Sequence, residues 1–129
     1  MILTLRTDNP EAEIGLFDGQ IQVTYEKWQA HRHLAETIHK KTINILNSQN
    51  KTYSDITGIV VYKGPGSYTG LRIGMSVANA LAYSNSCTVA ATNGDDWIRT
   101  GLQIIESGSH QPIALPEYEA PAKTTSPRK

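Results

Sequence analysis

Gly64-Pro65-Gly66-Ser67-Tyr68-Thr69-Gly70-Leu71-Arg72-Ile73-Gly74 is the stretch of this 129-residue chain whose residue types and spacing could do chemistry. Gly64, Gly66 and Gly70 fall within seven positions, which permits positive φ and a close approach of other backbone or of a ligand. Ser67 or Thr69 can cap a helix that begins there, and the free N–H groups of a first helical turn can hold an anion. The stretch therefore allows a nucleotide or phosphate contact at Gly64, Pro65, Gly66, Ser67, Tyr68, Thr69 and Arg72. It equally allows the plain role of a glycine-rich turn closed by a cap. It is not a P-loop, because no Lys-Ser/Thr pair follows the last glycine.

A second pattern runs on from the first. Gly70, Gly74, Ala78 and Ala82 recur every four residues, so on a helix they form one stripe almost free of side chains. Such a stripe lets another helix come close, with Leu71, Met75 and Leu81 packing at its borders. A helix-interior glycine costs up to about 1 kcal/mol against alanine, so Gly74 calls for a packing partner. That partner is either another subunit or the chain's own first helix.

The remaining reactive side chains carry less. His31, His33 and His39 invite a metal reading, but two ligands on a helix need i, i+4 spacing. His33 and His39 are separated by about 600° of helix rotation and fall on different faces. No intrinsic metal site and no cofactor are expected. Cys87, the lone cysteine, reads as a packed thiol in a buried strand. Trp28 and Trp97 are expected to cover the ends of the sheet, and Lys40, Lys41 and Lys63 read as a solvated face.

The elements that position the signature can be read from periodicity. Residues 2–7 read as a strand ended by Asp8-Asn9-Pro10; residues 11–17 alternate, and Asp18-Gly19 signals a hairpin into a second alternating run over 21–25. From about 32 to 50 the apolar residues Leu34, Ile38, Ile45 and Leu46, with Thr42, follow helical spacing. The run over 56–62 is apolar without alternation, as in a central strand covered on both faces. Residues 71–84 read as a second helix, 87–91 as a fifth strand, and Asp95 or Asp96 could cap a last helix carrying Trp97, Ile98, Leu102, Ile104 and Ile105. The order β-β-β-α-β-α-β-α gives an α/β fold with a mixed sheet and helices on its faces, the ribonuclease H-like arrangement that also forms one lobe of an actin-like ATPase (ASKHA).

Composition sets the outer bounds. Twelve Lys and Arg balance twelve Asp and Glu, so the excess of cations that drives non-specific nucleic-acid binding is missing. No apolar run is long enough to span a bilayer, the N-terminus lacks a signal-peptide core, and no intrachain disulfide can form. A cytoplasmic home is the expectation. Residues 1–106 are expected to form one domain, and the Pro-rich residues 107–129 a tail that is either disordered or ordered only against a partner.

The eleven signature positions resemble the pattern G-P-G-S-[FY]-T-G-[LVI]-R-[IV]-G of the TsaB (YeaZ) family, the non-catalytic partners of TsaD in bacterial tRNA threonylcarbamoyladenosine synthesis. The opening I-L-x-L strand, the strand meander and His33-Leu34 ahead of the signature strand agree with it, and the resemblance spans roughly residues 1–106. It implies an actin-like lobe without catalysis of its own, a TsaD-type catalytic subunit as partner, a TsaE-type ATPase within the assembly, and tRNA met indirectly. By position the partner-binding residues would be Leu34, Ile38, Thr42 and Ile45 with Gly70, Leu71, Gly74, Met75 and Ala78. Gly74→Leu is then expected to abolish pairing and leave the monomer folded. The same apolar stripe would let two copies pair when the partner is absent.

Two departures stand out. Family members begin I-L-x-x-D-T, whereas Arg6 stands here in place of the acid, and these 129 residues are expected to hold only the first of the family's two lobes. A ribonuclease H-type nuclease would need clustered carboxylates for two metals, and the 56–62 strand has none. From another class, a regulatory module that senses nucleotide or phosphate through the 64–70 loop is the second reading.

Overall fold

The computed structural model describes residues 1–108. Strands β1 (Ile2–Arg6), β2 (Glu11–Asp18) and β3 (Ile21–Gln29) form the opening meander. Gly19, at φ +62°, takes the left-handed position of the two-residue β2–β3 turn that Asp18-Gly19 announces. A 3₁₀ turn over His31–His33 leads into α1 (Leu34–Asn47), followed by β4 (Gly58–Tyr62), α2 (Tyr68–Asn85), β5 (Thr88–Thr92) and α3 (Trp97–Glu106).

The sheet order is β3-β2-β1-β4-β5, antiparallel through β3, β2 and β1 and parallel from β1 to β4 to β5. Leu3 lies between Leu16 and Ile59 in register, and Leu5 between Ile14 and Val61. The side-chain period of two sends Leu3, Leu5, Ile14, Leu16, Ile59 and Val61 to one face, where they meet Leu34, Ile38 and Ile45 of α1 and Met75 and Ala78 of α2. Phe17, Val60 and Tyr62 point to the other face, against Trp97 and Leu102 of α3. The five residues of β4 are all buried because helices cover both of their faces. This is the ribonuclease H-like sheet expected from the element order.

Several boundaries differ from the expectation. β3 continues to Gln29 because Glu13↔Lys27, Ala12↔Trp28 and Glu11↔Gln29 keep pairing past Tyr25. α1 is shorter than the 32–50 reading, since residues 31–33 close a tighter turn with His31 at φ +47°. α2 starts three residues earlier, with Ser67 at its N-cap, and β5 begins after Cys87. Asp96 holds the N-cap position of α3 without a side-chain bond to the helix. Trp28 is buried against α1, its Nε1 donating to the Thr37 hydroxyl at 3.0 Å, while Trp97 meets Tyr62 edge-on at 5.9 Å. Residues 109–129, most of the expected tail, lie outside the described residues.

Candidate functional site

The signature begins where β4 ends, and its glycines are explained by the end of the neighbouring strand β1. A Cβ on Gly66 would fall closer than 3.0 Å to the Asp8 Cβ, one on Gly70 that close to the Thr7 carbonyl oxygen, and one on Gly74 that close to the Thr7 hydroxyl. Three glycines spaced by four thus let the loop and the first two turns of α2 lie directly on two residues, Thr7 and Asp8. The Thr7 hydroxyl donates to the Gly70 carbonyl at 2.7 Å, so the contact is bonded as well as close.

Polar groups around this junction bind one another. Arg6 Nε donates to Asp8 Oδ1 at 2.8 Å and its Nη2 to Oδ2 at 3.3 Å, while the guanidinium lies 3.9 Å from the centre of the Tyr62 ring. Burial alone would lower the Arg6 pKa, but the bond and charge of Asp8, with Tyr62 and Glu13, hold it above the ordinary value. Tyr62 donates its hydroxyl to the Pro65 carbonyl at 3.3 Å, tying the loop to β4. On the same side of the sheet Tyr25 donates to the Glu13 carboxylate. Burial first, and that bond second, push the Tyr25 phenol well above its ordinary range.

At the start of α2, the Gly70 N–H donates to Ser67 Oγ at 3.5 Å and the Leu71 N–H to the Ser67 carbonyl at 3.0 Å. Of the expected loop contacts, Gly64 is buried, Gly66 is half-buried and Pro65, Ser67, Tyr68, Thr69 and Arg72 are exposed. Arg72 stacks on Tyr68 at 5.4 Å and donates to its hydroxyl at 3.2 Å. A cleft of about 460 Å³ lies between the turn after β1, the 3₁₀ turn and the first turns of α2.

The expected partner-binding residues are placed differently from the expectation. Leu34, Ile38, Thr42 and Ile45 of α1 and Leu71, Gly74, Met75 and Ala78 of α2 are buried in the chain's own core, and Gly70 is half-buried. The physical reason is that an amphipathic helix buries its apolar stripe against its own sheet first. The stripe Gly70, Gly74, Ala78 is therefore an internal contact, and its foremost partner is the end of β1 rather than α1. Gly74→Leu would drive a side chain into Thr7, so the substitution strains the monomer itself and does not act on pairing alone.

What α1 and α2 leave outside is a different set. Thr69, Arg72, Ser76, Ala80 and Tyr83 are exposed along one face of α2, and Glu36, Lys40, Ile43 and Asn47 along one face of α1. Ile43 is 44% exposed and Tyr83 89%. Sequence reasoning passed over Ile43, Ser76, Ala80 and Tyr83, and did not identify Thr7 and Asp8 as the residues the glycines pack on. The signal for the outer face was the polar and small side of each helical repeat; the signal for Thr7 was the four-residue spacing of Gly66, Gly70 and Gly74.

His31, His33 and His39 are exposed; His33 bonds Glu36 at 3.0 Å, and among the described residues no three His, Cys, Asp or Glu side chains converge. Burial raises the thiol pKa of half-buried Cys87. No helix of the described residues is long and apolar enough to cross a membrane.

Residues 28–115 match the family model described as "TsaD: tRNA N6-adenosine threonylcarbamoyltransferase". The tRNA threonylcarbamoyladenosine biosynthesis protein TsaB of Bacillus subtilis (strain 168) is 44% identical over 50 residues, 39% of this chain and 22% of that protein. The Escherichia coli (strain K12) protein of the same name is 30% identical over 82 residues, 63% of this chain and 35% of its own length. The tRNA N6-adenosine threonylcarbamoyltransferase of Latilactobacillus sakei is 36% identical over 64 residues, 50% of this chain and 19% of that enzyme. Among solved structures, YeaZ from Pseudomonas aeruginosa superposes with a TM-score of 0.66 at 23% identity, over 71% of this chain and 43% of that one, which shows the shared actin-like lobe. The matches span less than half the length of each relative. With a family model covering most of the chain and TsaB proteins among its relatives, the chain belongs to the TsaD family and, within it, to the TsaB (YeaZ) proteins.

Proposed function

We propose that the chain acts in tRNA threonylcarbamoyladenosine biosynthesis as a non-catalytic subunit that pairs with a TsaD-type transferase subunit. The pairing surface is the outer face of α1 and α2, built on Ile43, Ser76, Ala80 and Tyr83. The observation that carries the reading is the exposure of two large apolar side chains, Ile43 and Tyr83, on adjoining helices. Ser76 and Ala80 lie between Arg72 and Tyr83 on α2, so an approaching helix meets little bulk there.

The chemistry belongs to the partner. In this chain the polar groups at the strand ends are bonded among themselves, Arg6 to Asp8, Thr7 to Gly70 and Tyr25 to Glu13, and they hold the lobe in shape. Pairing would then act by fixing the partner's conformation. A TsaE-type ATPase would join the assembly through the partner, tRNA would meet the assembly without direct contact here, and the work would be done in the cytoplasm. Two copies would pair through the same face when the partner is absent.

Isothermal titration of the TsaD-type subunit with the wild-type chain and with Ile43→Arg and Ala80→Arg tests the surface. Saturable binding by the wild type, weakened at least about tenfold in both variants, is the expected result. Equal binding by all three would reject the face.

A further inference from the structure

We propose that the cleft between the turn after β1, the 3₁₀ turn and the start of α2 seats an acidic side chain carried on an extended segment of the pairing subunit. The inference rests on the pairing reading and adds to it a second contact of stated chemistry. The cleft measures about 460 Å³ and opens to solvent. Its apolar lining comes from three separate chain segments, with Pro10 from the turn, Leu34 from α1 and Ile73 from α2.

Its lining holds one acid and one arginine, and only the arginine is unpaired among the described residues. Asp8 also lines the cleft, but Arg6 takes both of its carboxylate oxygens from the other side, so the acid is already neutralised. Arg32 lies on the rim, exposed, and bonds no acid among the described residues. A carboxylate entering beside Arg32 would find a guanidinium free for a forked bond. Asn9 and Thr69 stand on the same rim, and their side chains can both donate to and accept from a peptide backbone. An extended segment offers such N–H and C=O groups.

The cleft is continuous with the proposed pairing surface. Thr69 belongs both to its rim and to the exposed row that continues through Arg72, Ser76, Ala80 and Tyr83. A partner covering that row reaches the cleft without a break.

The test is titration of the TsaD-type subunit with four variants of the full chain, each first checked for an unchanged melting temperature. Thr69→Trp fills the cleft from its exposed rim, Arg32→Ala removes the charge, Arg32→Glu reverses it, and Ala80→Arg blocks the helix face. The expected result is binding weakened about tenfold or more by Thr69→Trp and Arg32→Glu, with Arg32→Ala in between, and lost in Ala80→Arg. If Thr69→Trp does not fold, the Arg32 pair decides. Wild-type affinity in Thr69→Trp and both Arg32 variants, with Ala80→Arg still defective, overturns the cleft and leaves the pairing face standing. Tighter binding by Arg32→Glu overturns the acidic ligand. A wild-type chain that does not bind at all overturns both.

Discussion

The Thr7 hydroxyl donates to the Gly70 carbonyl across 63 positions of sequence, at 2.7 Å. That bond joins the end of the first strand to the start of the helix that follows the signature. It makes the glycine-rich segment a clamp between β1 and α2.

Gly70→Ala places a methyl group against the Thr7 carbonyl, and Gly74→Leu drives a larger one into the Thr7 hydroxyl. Overpacking of this kind costs about 1–3 kcal/mol, and the leucine variant belongs at or beyond the upper end. Thermal melts followed by circular dichroism should show both variants less stable than wild type, Gly74→Leu by a clearly lower melting temperature. A Gly74→Leu protein that melts like wild type would show that the clamp is not as tight as described.

Arg6 and Asp8 form a part-buried pair, with 24% and 6% of their side chains exposed. Arg6→Ala leaves the Asp8 carboxylate without its two bonds, and a hydrogen bond to a charged group contributes about 1.5–3 kcal/mol. Urea unfolding should give an unfolding free energy lower by that amount, read as a lower midpoint at an unchanged slope. Equal midpoints would mean that water replaces the guanidinium at no cost.

Alkaline stability should carry the mark of Tyr25. Its phenol is held above the ordinary value, first by burial and then by the bond to Glu13, so the unfolded chain ionises this group first, near pH 10. A raised folded pKa contributes stability that is fully present below about pH 10 and lost as pH rises beyond it. Tyr25→Phe should therefore show a shallower fall of melting temperature between about pH 10 and 12 than wild type. Parallel curves would remove Tyr25 from the account.

ATP should leave the melting temperature unchanged. A ligand at 100 times its dissociation constant adds about 2.7 kcal/mol to the folded state, which a melt detects easily. The glycines of the loop already have an internal reason to be there, in Thr7 and Asp8. A clear upward shift with millimolar ATP would favour the nucleotide-sensing reading of the 64–70 loop.

Much of the fold was legible in the sequence because its signals are local. Asp18-Gly19 names its own turn, the unbroken apolar run of β4 names a strand covered on both faces, and the spacing of Leu34, Ile38 and Ile45 names a helix. The direction of the small-residue stripe was not legible. Spacing of Gly70, Gly74 and Ala78 says that something comes close, but not that it is Thr7, far earlier in the chain. The burial of Leu34, Ile38, Thr42 and Ile45 was hidden for the same reason, since an apolar stripe marks the side that meets the chain's own sheet. The extension of β3 to Gln29 was hidden by Glu26-Lys27, charges that an edge strand accommodates and a periodicity reading does not.

The central claim is that the outer face of α1 and α2 pairs with a TsaD-type subunit. Size-exclusion chromatography with light scattering, on the chain alone, on the TsaD-type subunit and on their mixture, tests it most directly. The account predicts a complex of defined mass in the mixture, absent with Ile43→Arg and Ala80→Arg. Unchanged elution of the two proteins, with and without ATP, would contradict it.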